Sequence, residues 1–174
     1  MKNPKAEFLL LQADSAPAGD IIEIGATRSD YEHPSDGWTT VHLARWARDN
    51  KRTFRSFDKY MDVVERANSV LEREGLTPVV RQDDGEYALH DQSQIALLYL
   101  DGSKEPEETL EQFFAAIPGL VPGAVIIVDD VEDFGDWRTY GKATLLVSRL
   151  SKLGIRYDIH EIGSNKMLVM RTPQ

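Results

Sequence analysis

The sequence predicts an α/β domain whose mostly parallel sheet lies between two layers of helices and ends in an antiparallel C-terminal hairpin. Three observations lead there. The runs Ile95 to Leu100 and Ala124 to Val128 are apolar without alternation, as parallel strands are when both faces are covered. Amphipathic segments long enough for helices separate such runs, which calls for right-handed crossovers and a Rossmann-like three-layer sandwich. Near the end, Tyr157 to Ile162 and Lys166 to Arg171 flank Gly163-Ser164-Asn165, a hairpin pattern.

Taken in order, Asp20 to Gly25 reads as a first strand closed by glycine, and Trp38 to Ala47 as a helix with apolar positions at helical spacing. Arg52 to Phe57 reads as a second strand with Asp58 at its end. The amphipathic segment Met61 to Glu74, stopped by Gly75, follows as a helix. Thr77 to Arg81 gives a third strand, Ile95 to Leu100 a fourth and Ala124 to Val128 a fifth. A helix from about Glu107 to Ala116 precedes the turn signals Pro118-Gly119 and Pro122-Gly123, and Lys142 to Leu153 forms the last helix before Gly154. Residues 1–174 are expected to be one domain, with residues 1–17 an extension ahead of the first strand.

Composition narrows the function classes. With 29 acidic and 20 basic residues the net charge is −9, a surface that repels phosphate backbones and anionic lipid, so neither nucleic acid nor a membrane is an expected partner. The absence of cysteine excludes disulfides, thiolate metal sites and cysteine nucleophiles. His33, His42, His90 and His160 show no zinc-site spacing. Phe8 to Leu11 is too short for a signal peptide or a membrane span, and a cytoplasmic location is expected.

In a doubly wound sheet the ligand lies beyond the carboxyl ends of the strands, where the strand order reverses. Here those positions are acidic: Glu23 with Gly25, Asp58, Asp83 with Asp84, Asp101, and Asp129 with Asp130. Asp58 suits hydrogen bonding to the ribose of an adenosine ligand, or else caps the following helix. Asp83 or Asp84 suits the adenine amino group, or else an ordinary turn. Gly25-Ala26-Thr27-Arg28 lacks the spaced second and third glycines of a dinucleotide fingerprint. S-adenosylmethionine has no phosphate, and Gly25 with a later Gly37 is compatible with the single close backbone approach it needs.

Ile22-Glu23-Ile24-Gly25, Gly37-Trp38-Thr39-Thr40, and Leu120 to Ala124 followed by Val125 to Val128 resemble, in this order, the motifs of class I S-adenosylmethionine-dependent methyltransferases. The resemblance implies cofactor contacts from Glu23, Gly25, Gly37, Asp58, Asp83, Asp84 and Asp101. Within that family the chain is similar to the metal-dependent O-methyltransferases of the catechol and caffeoyl-coenzyme A type and their sugar-modifying relatives. That likeness implies a magnesium or similar ion on Asp101, Asp129 and Asp130, with Lys104 as the base that deprotonates a small hydroxyl acceptor. Structurally the three aspartates would otherwise solvate strand ends, and Lys104 would form a plain salt bridge with them.

Some features depart from the pattern. Arg28 to Asp36 lengthens the loop after the first strand, either as a lid or as a tolerated surface loop. Trp38, Trp46 and Trp137 are candidates to stack on an acceptor, with Trp46 the one expected in the core. The acidic turn Asp133 to Asp136 either borders the acceptor pocket or is merely exposed. Met167 and Met170 offer a surface for a homodimer, or else pack on the sheet face. The readings that compete are an O-methyltransferase, a methyltransferase-like binding or scaffold module without catalysis, and a nucleotide-dependent oxidoreductase that the glycine loop disfavours.

Overall fold

The computed structural model describes residues 3–32, 38–131, 141–163 and 165–173. Seven strands make one sheet: β1 (Asp20–Ile24), β2 (Phe54–Asp58), β3 (Val80–Gln82), β4 (Ile95–Leu100), β5 (Leu120–Val128), β6 (Tyr157–Ile162) and β7 (Asn165–Arg171). Their order is β3-β2-β1-β4-β5-β7-β6. β1 to β5 run parallel, and β7 enters antiparallel between β5 and β6. This is the Rossmann-like sandwich with its C-terminal hairpin.

Two helical layers cover the sheet because strand side chains alternate between its faces. Ile21, Leu97, Val125 and Ile127 face α1 (Pro4–Ser15), α2 (Thr39–Asp49) and α3 (Met61–Arg73). Ile22, Leu98, Leu100, Ile126 and Val128 face α4 (Gly85–His90), α5 (Pro106–Ala116) and α6 (Thr144–Leu153). Every residue of β4 is buried, which explains its unbroken apolar run. Each such Leu or Ile contributes roughly 1.5–3 kcal/mol by leaving water.

The structure corrects several boundaries. Residues 1–17 hold α1, whose start signal is an Asn3 side chain accepting the Ala6 amide at 3.2 Å, with Pro4 in the first turn. Asp84 caps α4, a helix the sequence reading lacks. β3 occupies Val80–Gln82 at the sheet edge, where the expected strand was Thr77 to Arg81. β5 begins at Leu120 and runs through Pro122 and Gly123, although these residues are turn signals in the sequence. Met167 and Met170 are overturned as a dimer surface: β7 lies inside the sheet, so both are 4% exposed or less within the single chain. Among the described residues no helix is long and apolar enough to cross a membrane.

Candidate functional site

The strand order reverses between β1 and β4, and a cleft of about 420 Å³ opens beyond their carboxyl ends. Lys5, Ala26, Asp101, Lys104, Asp130 and Lys142 are among its walls. A second cavity of only about 10 Å³ lies beside it and is bordered by Gly25, Asp58, Asp83 and Asp84. Lys59, Gly102 and Glu108 line both, and Lys59 Nζ pairs with Glu108 Oε2 at 3.3 Å between them.

Most of the expected adenosine-side residues therefore meet at one cavity. Asp58 Oδ2 accepts the Ala26 amide at 3.1 Å and Oδ1 the Tyr60 amide at 3.0 Å, so the end of β2 holds the loop after β1. A carboxylate has about four acceptor positions, and these two bonds leave room for ribose hydroxyls. Asp84 Oδ1 accepts the Glu86 amide at 3.2 Å as the α4 cap, while Asp83 is exposed at the cavity edge. Gly25 has φ +95°, and a Cβ there would lie 2.6 Å from Gly102 Cα, so the glycine permits the β1 and β4 loops to touch.

Glu23 lines neither cavity. Its fully buried carboxylate accepts from the hydroxyls of Thr39 at 2.9 Å, Thr40 at 2.7 Å and Ser56 at 2.6 Å. Thr40 Oγ1 in turn accepts the Thr27 amide at 2.8 Å, so Glu23 shapes the β1 loop through Thr40. Burial pushes its carboxyl up from 4.5 to about 7, against the three hydroxyl donors. Gly37, Asp133 to Asp136 and Trp137 lie outside the described residues. Trp38 is buried, and its indole donates to the Ser29 carbonyl at 3.0 Å. Trp46 is half-buried and donates to Asp14 at 2.8 Å.

The described part of the long loop is tied down. Arg66 donates to the Arg28 carbonyl at 3.0 Å, Arg73 bonds the Asp30 carbonyl, and Glu32 meets His42 at 3.0 Å and Asn3 at 3.1 Å.

Asp101, Asp129 and Asp130 converge, with one oxygen of each lying within 4.8 Å of the others. Two lysines join them that the sequence reading missed. Lys5, from α1, pairs with Asp101 Oδ2 at 3.3 Å and with Asp129 Oδ2. Lys142, from the 3₁₀ turn Gly141–Ala143, pairs with Asp101 Oδ1 at 3.0 Å. The Tyr99 hydroxyl donates to Asp129 Oδ2 at 2.8 Å and lies 3.1 Å from Asp101 Oδ2. Burial would lower the Lys5 pKa, but Asp101 and Asp129 raise it above the usual lysine value. The same pairing holds Asp101 low although burial opposes it: Lys142 and then Lys5 supply the charge. Lys104, expected as the base or else as a salt-bridge partner of these acids, is exposed at the cleft edge and forms no ion pair among the described residues.

Residues 35–131, more than half of the chain, match the protein family described as Methyltransferase domain. The chain belongs to that family.

The methyltransferase is also similar to solved structures. One is the O-methyltransferase TomG from Streptomyces achromogenes in complex with SAM, involved in tomaymycin synthesis. It is 21% identical, with a TM-score of 0.72 over 99% of this chain and 81% of that one. The O-methyltransferase from Bacillus cereus in complex with SAH is 19% identical, with a TM-score of 0.67 over 99% and 82%. An RNA methyltransferase from Salinibacter ruber with S-adenosyl-L-homocysteine is 18% identical, with a TM-score of 0.63 over 100% and 94%. No curated protein matches the chain. At these identities the likeness establishes the fold.

The divalent cation implied by the sequence resemblance meets mixed ground in this methyltransferase. Three carboxylates are suitable hard ligands, and Asp129 Oδ1 is buried without a hydrogen-bond partner among the described residues. The place between Asp101 Oδ2 and Asp129 Oδ2, however, is taken by Lys5 Nζ, and Asp101 Oδ1 by Lys142 Nζ. With both ammonium groups in position the residues do not fit an ion.

Proposed function

We propose that this methyltransferase transfers the methyl group of S-adenosylmethionine to a hydroxyl oxygen of a small molecule. One observation carries the reading: Gly25, Asp58, Asp83 and Asp84 surround one cavity at the point of strand reversal, and a larger cleft adjoins it. The adenosine belongs on the side of Asp58, and the sulfonium and acceptor belong in the cleft of about 420 Å³. The net charge of −9 favours a small acceptor over a phosphate backbone.

In the transfer, the acceptor oxygen attacks the methyl carbon in line with the sulfur. A C–O bond forms, the C–S bond breaks, and its electron pair stays on sulfur. The acceptor proton must leave, and Lys104 at the cleft edge, in its uncharged amine form, is the proposed acceptor for it and becomes the ammonium. No ion pair ties up its amine among the described residues, unlike Lys5 and Lys142. Asp101 helps as the acid that fixes both lysines at the cleft wall.

A binding module without catalysis is the second reading. It is favoured by the volume of the Asp58 cavity, about 10 Å³, which is too small for an adenine. Incubation with methyl-labelled S-adenosylmethionine and a panel of catechols and sugars separates the two. Transfer to oxygen, reduced about 10²- to 10⁴-fold in Lys104→Ala, supports the enzyme. Binding of the cofactor with no transfer to any acceptor supports the module.

A further inference from the structure

The lysines in the acid cluster are built into the fold. The side chains of Lys5 and Lys142 are 6% and 5% exposed, and each reaches its carboxylate from an element remote in sequence, α1 for one and the turn before α6 for the other. A buried ammonium is tolerated only when paired and hydrogen-bonded, so these contacts are a requirement of the folded state and differ from a surface pair. Lys5 also lies 5.9 Å from the centre of the Tyr99 ring, whose hydroxyl shares the same two aspartates.

Charge and place agree. Three carboxylates face two ammonium groups, so a dication added to them would leave an excess of positive charge in a space already filled. Both lysines also line the cleft, and an ammonium carries three N–H donors. Among the described residues Lys142 gives one of its donors to Asp101, and those that remain can hold an acceptor oxygen as a cation would.

We propose that Lys5 and Lys142 stand in place of a divalent cation, so that this methyltransferase binds none at Asp101, Asp129 and Asp130 while both lysines are present and works without one. The part concerning activity rests on the methyl-transfer reading; the part concerning binding does not. Lys5 acts as a positioning residue and Lys142 touches the acceptor, and removing both should uncover an ion site that the aspartates alone would form.

The test uses the full chain and Mn²⁺ alone, followed by electron paramagnetic resonance. The expected result is free Mn²⁺ with the parent chain, one bound ion in Lys5→Met/Lys142→Met, and loss of that ion when Asp129→Asn is added. Mn²⁺ bound by the parent at these aspartates overturns the proposal, as does a folded double variant that binds none. If circular dichroism shows the double variant unfolded, Lys5→Met alone, which empties the place between Asp101 and Asp129, and the parent decide by the same criteria. In the activity arm, turnover unchanged by EDTA in the parent, reduced in Lys142→Met and kept in Lys142→Arg supports the proposal. Turnover lost in EDTA and recovered with Mg²⁺ overturns it. A parent that binds no S-adenosylhomocysteine and transfers no methyl group defeats the methyl-transfer reading instead, and the Mn²⁺ result still decides this one.

Discussion

Asp58 Oδ2 accepts the backbone amide of Ala26 at 3.1 Å, so the carboxylate ending β2 fixes the first turn after β1. The same carboxylate borders the cavity assigned to adenosine. Its removal should act on the cofactor and on the loop together. Asp58→Ala is expected to weaken S-adenosylhomocysteine binding by about 1–3 kcal/mol, the range for a charge-assisted hydrogen bond. Calorimetry checks this, with circular dichroism to confirm the fold. An unchanged affinity in a folded variant would remove Asp58 from the site.

Glu23 gives the chain a pH dependence of stability. Its carboxyl keeps its proton to about pH 7 when folded and releases it near 4.5 when unfolded. The folded state binds the extra proton between those values, so this stability is complete below the lower value and is lost as pH rises through the upper. Glu23→Gln should flatten the fall, worth about 1–3 kcal/mol between pH 5 and 8. Urea unfolding of both proteins at the two pH values measures it; parallel curves would contradict the assignment.

Two glycines separate crowding from backbone strain. Gly25 and Gly154 both have positive φ, +95° and +66°, but a Cβ on Gly25 would strike Gly102 backbone while one on Gly154 would meet nothing within 4 Å. Gly154→Ala should cost about 1 kcal/mol, the penalty for a left-handed alanine. Gly25→Ala should cost about 3 kcal/mol or more and impair cofactor binding as the two loops part. Equal losses in thermal unfolding would show that the β1 and β4 loops do not need their contact.

Particular residues show what the sequence made legible. Ile95 to Leu100 and Ala124 to Val128 identify central strands because burial on both faces removes alternation, and strands in that arrangement place Asp101, Asp129 and Asp130 together at their ends. Lys5 was not legible as a site residue, although Asn3-Pro4 signals a helix start. Its meeting with Asp129 depends on how α1 packs across the sheet, which no local pattern encodes. Lys142 stood in an expected helix, with nothing in its spacing to point it at Asp101. Lys104 is the converse. Its place three residues after Asp101 expresses nearness along the chain, and the loop sets it at the exposed cleft edge, where it pairs with none of the three aspartates among the described residues. Glu23 reads as a cofactor ligand from its motif, yet Thr39, Thr40 and Ser56 engage it inside the core.

The most direct measurement is calorimetric titration of the full chain with S-adenosylhomocysteine, with NAD as the comparison. If the cavity bordered by Gly25 and Asp58 takes adenosine, without a pyrophosphate cradle, the chain should bind one S-adenosylhomocysteine and give no heat of binding with NAD. Binding of NAD, or no binding of S-adenosylhomocysteine to the folded chain, would contradict it.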